Sequence, residues 1–183
     1  MFIILSGVSG AGKNTVINRL LKEGDNRFLI KSATTRKPRG GGLDNNYEFM
    51  SDEEFDRREK NGEFFETINA HAHKYGTQFK ELEKVIANPQ NIYLKDIEVV
   101  GTQKLVSYLA DKTKVLTIFL DASDDILKDR LLKRGENEET ANLRLSRAKM
   151  ERTFKDKYDM VIENVDLEDT LKKIRERLKK EGY

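Results

Sequence analysis

The sequence predicts an α/β fold: a parallel sheet with helices on both faces, interrupted in its middle third by a smaller mixed α+β insertion. Three observations carry this. Short apolar runs alternate with helical periodicities at both ends of the chain, a glycine cluster follows the first run, and residues 32–90 lose that regularity. A length of 183 residues suits one compact domain.

Phe2 to Leu5 is a continuous apolar run ended by glycines, the pattern of a strand buried on both faces. From Lys13 onward Val16, Ile17, Leu20 and Leu21 recur at helical spacing until Gly24-Asp25-Asn26. Arg27 to Lys31 reads as a second short strand. Ser32 to Tyr47 is polar, basic and glycine-rich, which predicts a loop. Tyr47 to Met50 and Phe64 to Thr67 read as small strands around an acidic helix opening at Ser51, with Glu54 completing a capping box. Phe79 to Ala87 is helical and closes at Asn88-Pro89. Regularity returns with a strand at Ile92 to Leu94, a helix over Gly101 to Ala110, a strand over Lys114 to Leu120, and a helix over Asp124 to Lys133 capped by Asp121-Ala122-Ser123. Arg134 to Arg152 is polar and helical without a wide apolar stripe, which predicts an exposed, mobile segment. Met160 to Ile162 is a last strand, and Leu167, Leu171, Ile174 and Leu178 form the stripe of a closing helix.

Composition narrows the function. With 34 Lys+Arg against 32 Asp+Glu the net charge is +2, so no global attraction to nucleic acid or acidic membranes is expected and any anion site is local. The absence of Cys excludes disulfides, thiolate zinc sites and a cysteine nucleophile. His71 and His73 lie two apart with no Cys and no clear carboxylate partner, and read as surface or packing residues. The apolar start at Met1 to Leu5 is too short for a signal peptide, and no run reaches the roughly 18 apolar residues of a membrane helix. A cytoplasmic location is expected.

The chemistry begins at Gly7-Val8-Ser9-Gly10-Ala11-Gly12-Lys13-Asn14-Thr15, which matches G-x-x-x-x-G-K-[ST] except at its last position. Glycines let the backbone wrap so that N–H groups point at phosphate oxygens. The helix N-terminus adds positive potential, and Lys13 neutralises the β/γ-phosphates. The usual hydroxyl ligates Mg²⁺. Asn14 offers an amide oxygen instead, at a different reach, while Thr15 keeps a hydroxyl.

Further motifs follow in order: Ser32-Ala33-Thr34-Thr35-Arg36-Lys37-Pro38-Arg39, Tyr47-Glu48-Phe49, Gly62-Glu63-Phe64-Phe65-Glu66, Tyr75-Gly76-Thr77 and Asp96-Ile97-Glu98-Val99-Val100-Gly101. With the glycine loop they make the chain resemble the guanylate kinases over nearly its whole length. The resemblance implies a P-loop three-layer core (1–31, 91–133 and 154–183), a GMP-binding α+β insertion (32–90) and a helical lid (134–153). It implies ATP and GMP or dGMP as substrates, Mg²⁺ carried with ATP, and direct in-line phosphoryl transfer. Oligomeric state stays open between monomer and homodimer.

Carried over residue by residue, the resemblance makes Gly7 to Thr15 the ATP-phosphate site and places Asn164 near adenine. Arg36, Arg39, Tyr47 and Tyr75 become the clamp on the monophosphate, suited to forked, charge-assisted hydrogen bonds. Glu66, Glu98, Ser32 and Thr77 fall where guanine is read: a carboxylate accepts from the ring N–H and the exocyclic amine, and the hydroxyls donate to the carbonyl. Arg134 and Arg144 match the lid arginines, with Arg147 and Arg130 as helpers. Lys13, Arg36, Arg134 and Arg144 would neutralise the moving charge. Asp96 is read either as organising Mg²⁺ through water or as a structural hydrogen-bonding group. Departures are Asn14, Glu98 for the usual Asp, Val165 where the family often has Asp, Gly41-Gly42 in a shortened loop, and Lys95 where a central strand would carry an apolar residue. Two alternatives accompany the kinase reading: a catalytically weak binding module of the same fold, and a kinase for another nucleoside monophosphate.

Overall fold

The structure is a computed structural model that describes residues 1–38, 40, 42–70 and 72–183. Arg39 of the expected phosphate clamp, Gly41 and His71 lie outside the described residues. In chain order the elements are β1 (Phe2–Gly7), α1 (Lys13–Leu21), β2 (Arg27–Leu29), β3 (Ser32–Thr34), β4 (Tyr47–Phe49), α2 (Asp52–Lys60), β5 (Phe64–Ala70), β6 (His73–Gln78) and α3 (Phe79–Ala87). There follow β7 (Ile92–Asp96), α4 (Val99–Leu109), β8 (Val115–Asp121), α5 (Asp124–Lys133), α6 (Glu138–Arg152), β9 (Met160–Glu163) and α7 (Leu167–Lys180).

Five strands form the main sheet in the order β2-β7-β1-β8-β9, every neighbouring pair parallel. The central β1 is buried along its whole length and feeds both layers. Ile3 and Leu5 enter a core with Val16, Ile17 and Leu20 of α1 and Leu171, Ile174 and Leu178 of α7. Phe2 and Ile4 enter the opposite core with Leu82 and Val85 of α3 and Leu105 and Leu109 of α4. That alternation is why an unbroken apolar run reads as a two-sided strand. Parallel strands put their C-terminal ends on one edge, so Gly7 and Asp96 emerge side by side where ligands bind in such sheets.

The insertion carries a second sheet, β4-β3-β6-β5, with β3 and β4 parallel and the other pairs antiparallel. Two of its strands depart from expectation. Ser32–Thr34 is a strand within the stretch expected to be loop, and His73–Gln78 is a strand where none was expected. β3 takes its order from a partner distant in sequence, Ala33 opposite Gly76, and β6 folds back on β5 as a hairpin, Thr67 opposite Gly76; no local periodicity announces either pairing. The capping box at α2 is half formed. Ser51 Oγ accepts from the Glu54 N–H at 3.2 Å, but the Glu54 carboxylate turns to Arg57 and Arg58.

The polar, mostly helical segment expected over Arg134 to Arg152 is a turn followed by one helix. Gly135, at φ 86°, ends the turn after α5, and Asn137 caps α6 by accepting from the Thr140 N–H at 2.8 Å. Ala141 and Ala148 are buried, and Ala148 joins the main core, so α6 is docked through a narrow stripe of small residues. Arg152 fastens its C-terminal end to Asp121 and Asp124 at 3.1 and 2.7 Å.

Candidate functional site

The loop from β1 to α1 requires its glycines. Gly7 sits at φ 131°, and a Cβ there would lie 1.9 Å from the Leu120 carbonyl oxygen. Gly12 sits at φ 91°, where a Cβ would lie 2.7 Å from Asn164 Nδ2. The Val8 N–H donates to the Leu120 carbonyl at 3.2 Å, and the Ala11 N–H to the Val8 carbonyl at 3.2 Å, which curls the loop over the start of α1. Val8 and Ala11 are buried and contribute backbone only. Thr15 is exposed. The Lys13 ammonium rests on the carbonyls of Gly7 and Val8 at 2.9 and 3.2 Å. The result is a concave backbone at a helix N-terminus with a cation folded over it, an arrangement that binds phosphate.

Asn164 does not face this concavity as an adenine neighbour. Its amide is buried, donating to the Ala11 carbonyl at 2.6 Å and accepting from Thr170 Oγ1 at 2.8 Å. With both ends spent inside the protein, it braces the loop from behind. Arg130 is likewise committed elsewhere, donating to the carbonyls of Asn164 and Val165 at 2.8 and 3.2 Å.

A cleft of about 290 Å³ opens between the glycine loop, the insertion and α6. Gly7, Ser9 and Lys13 form one end. Ser32, Tyr47, Glu66, Tyr75 and Thr77 line the insertion side, and Asp96 and Glu98 the floor and rim. The Tyr47 and Tyr75 rings meet edge to face at 6.0 Å. Arg36 stands just behind them. Its guanidinium is sandwiched against the rings of Tyr47 and Phe49 at 5.1 and 5.4 Å and pairs with Asp44 at 3.0 Å.

Glu66 is packed tightly enough that a Cβ on Gly101 would come within 2.9 Å of its carboxylate. Burial pushes its pKa up, while the Lys95 ammonium and the Thr77 hydroxyl hold the charged form. Thr77 Oγ1 donates to Glu66 at 3.4 Å, so its hydrogen serves the carboxylate rather than a base carbonyl. Ser32 Oγ accepts from Lys95 Nζ at 2.8 Å.

From the lid, Arg144 reaches down to Ser9 Oγ at 2.9 Å and pairs with Glu136 at 2.6 Å. Arg134 is the C-cap of α5, exposed and outside the cleft. Two residues of the site escaped sequence reasoning. Glu151 lines the cleft three and four residues on from Ala148 and Arg147, on the stripe that begins at Arg144, and that helical spacing was a signal. Burial raises its pKa, against Lys13, Arg147 and the Ser9 amide, which favour the anion. Lys95 is the other, recognisable only as a charge in an apolar strand.

The residues fit Mg²⁺ carried by a nucleotide. Asn14 Oδ1 accepts from Asn46 Nδ2 at 3.0 Å and keeps a second lone pair. The Asp96 carboxylate accepts no hydrogen bond from the described residues, and burial raises its pKa while Lys13 and Lys95 pull it down. No group of three acidic or histidine side chains able to hold a metal occurs among the described residues.

Comparison with known proteins agrees with this geometry. A family model described as guanylate kinase matches residues 1–181. The guanylate kinase of Clostridium perfringens is 36% identical over 176 residues, covering 95% of this chain and 80% of that protein. That of Rickettsia prowazekii is 40% identical over 179 residues, covering 96% and 89%. The crystal structure of guanylate kinase from Anaplasma phagocytophilum superposes with a TM-score of 0.70 at 27% identity, covering 99% of this chain and 85% of that one.

Proposed function

The chain belongs to the guanylate kinase family and catalyses ATP-dependent phosphorylation of GMP to GDP, and from that premise we propose how its residues share the work. The observation that carries the proposal is that one cleft gathers Lys13, Glu66 and Arg144 from three separate parts of the chain.

The loop Gly7 to Thr15 takes the ATP phosphates, Lys13 leaving its carbonyl partners for the β/γ-phosphates. Tyr47, Tyr75, Arg36 and Arg39 grip the acceptor phosphate, with Arg36 exchanging Asp44 for it. Glu66 accepts from the guanine ring N–H and exocyclic amine, assisted by Glu98, and Ser32 donates to the carbonyl. Because the base and phosphate are the groups addressed, dGMP is accepted as well. An oxygen of the acceptor phosphate attacks the γ-phosphorus in line, the bond to the bridging oxygen breaks, and ADP leaves with its electron pair. Arg144 is already at the loop and neutralises the moving group, joined by Arg134 as the lid closes. Closure aligns two nucleotides and removes water, which supplies most of the rate without covalent catalysis. The Asn14 amide oxygen and, through water, Asp96 would hold Mg²⁺ carried with ATP, which would supply neutralisation of phosphate charge.

A coupled ADP-release assay across GMP, dGMP, AMP, CMP, UMP and dTMP tests this reading. Turnover with GMP and dGMP, and roughly 10⁴-fold less with AMP, is expected of a site that leaves buried polar groups unpaired with the wrong base. Equal turnover with AMP would sink the base assignment.

A further inference from the structure

Lys95 stands where the fold asks for an apolar side chain. On β7 Ile92 and Leu94 point into one core, and Tyr93 and Lys95 share the other face, with Lys95 opposite Ile4 of β1. Lys95 is 1% exposed. Burying an ammonium is expensive, and replacing such a group by a well-packed apolar one is often stabilising, so stability does not account for it. Its surroundings are specific. Its hydrogen bond goes to Ser32 Oγ at 2.8 Å, and the carboxylates that face it are Glu66 from β5, Asp96 from its own strand and Glu81 from α3. Ser32, Glu66 and Asp96 line the cleft; Lys95 lies behind them.

An ammonium has three donors and no acceptor. Ser32 Oγ therefore receives a hydrogen from Lys95 and must direct its own hydrogen elsewhere, and the cleft is where that hydroxyl opens. The Thr77 hydroxyl is turned toward Glu66, at 3.4 Å, whereas no carboxylate takes the Ser32 hydrogen among the described residues. The same positive charge opposes the tendency of buried Glu66 to take up a proton, alongside Lys104 and against Glu98. The two effects converge on one edge of a purine. A 6-oxo purine presents a carbonyl that needs a donor next to an N–H that needs an anionic acceptor, whereas a 6-amino purine presents the reverse.

We propose that Lys95 is a specificity-determining positioning residue: by donating to Ser32 and facing Glu66, it fixes the hydroxyl as donor and the carboxylate as anion, and so selects 6-oxo over 6-amino purine monophosphates. This rests on the assignment of Ser32 and Glu66 as the groups that read the base.

The test measures GMP, IMP and AMP binding by calorimetry without ATP or metal, in wild type, Lys95→Met, Lys95→Gln, Ser32→Ala and Glu66→Gln. Lys95→Met is expected to weaken GMP and IMP alike, roughly tenfold to hundredfold, as loss of charge-assisted hydrogen bonding does. AMP binding should stay as in wild type, and in turnover the loss should fall on KM for GMP more than on kcat. The effects of Lys95→Met and Ser32→Ala should be less than additive, because they remove parts of one unit. If Ser32→Ala and Glu66→Gln weaken GMP and Lys95→Met does not, this inference falls and the base site stands. If none of the three weakens it, both fall. A uniform loss of affinity for all three nucleotides and for ATP, with a lowered melting temperature, marks a packing role and also overturns it. Lys95→Gln preserves volume should the Met variant not fold. In wild type with isotope-labelled lysine, the Lys95 side-chain resonance should move with GMP and IMP and stay put with AMP; movement with AMP as well, or with none, refutes the proposal without any substitution.

Discussion

Asn46 Nδ2 donates to Asn14 Oδ1 at 3.0 Å, so the phosphate loop and the acceptor insertion are hydrogen-bonded at the very residue that departs from the usual loop pattern. Asn46 is 8% exposed, and its Oδ1 has no hydrogen-bond partner among the described residues. The pair ties the metal-side position of the loop to the strand that begins at Tyr47. Asn14→Ser trades that tie for a better-placed hard ligand. Turnover at limiting Mg²⁺ should rise, and stability should fall by about 1 kcal/mol, the usual net worth of one such hydrogen bond. A Mg²⁺ titration of initial rates and a denaturant melt check the two halves separately. An unchanged metal dependence would place Asn14 outside the coordination sphere.

Gly7 is fixed by backbone geometry. At φ 131°, with the Leu120 carbonyl oxygen 1.9 Å from where a Cβ would stand, neither torsion nor space admits a side chain. The obstacle is main chain of the neighbouring strand, which cannot swing aside. Gly7→Ala is therefore expected to cost about 3 kcal/mol or more, and to lower the urea midpoint without changing the slope. A variant as stable as wild type would show that the turn leaves β1 by another path.

Lys13, to which we assign the β/γ-phosphates, offers the complementary case, since little of the fold is built on its side chain. Among the described residues its ammonium bonds only the carbonyls of Gly7 and Val8, in its own loop. Lys13→Met should reduce kcat by roughly 10²- to 10³-fold, the scale for removing one preorganised charge partner of a transition state. Its melting temperature should match wild type. Wild-type turnover would assign the γ-phosphate to Arg144 alone.

How far the site could be read from the sequence follows from which residues act through local spacing. The glycine loop was legible because strand, turn and helix are contiguous, and its geometry is set within nine residues. Ser32, Glu66 and Thr77 were legible only through the family resemblance. They meet because β3 pairs with β6 across tens of residues while β6 folds back on β5 as a hairpin, and β3 and β6 gave no periodic signal of their own. Asn164 was read as an adenine neighbour, and sequence does not show that Ala11 and Thr170 engage both ends of its amide. Arg36 was read as a phosphate ligand from its motif, and nothing in that motif shows Asp44 holding it in the meantime.

Glu151 supplies a pH-dependent prediction. Burial raises its pKa in the folded state, although Lys13, Arg147 and the Ser9 amide work the other way. The folded protein therefore holds this proton more tightly than the unfolded chain does. A raised pKa contributes stability that is present below the unfolded value, near 4.5, and is lost as pH rises through the folded value. At neutral pH wild type bears the burden of an ionised, half-buried carboxylate, one oxygen of which has no hydrogen-bond partner among the described residues. Glu151→Gln keeps the shape and removes the charge, so at pH 7 it should melt about 2 to 4 °C above wild type, the shift that roughly 1 kcal/mol produces in a chain of this size. The gap should close on acidification, as wild type takes up the proton and the two side chains become alike. Differential scanning fluorimetry of both proteins between neutral pH and pH 4.5 follows it, and a gap that stays constant over that window would show that Glu151 is as readily ionised folded as unfolded.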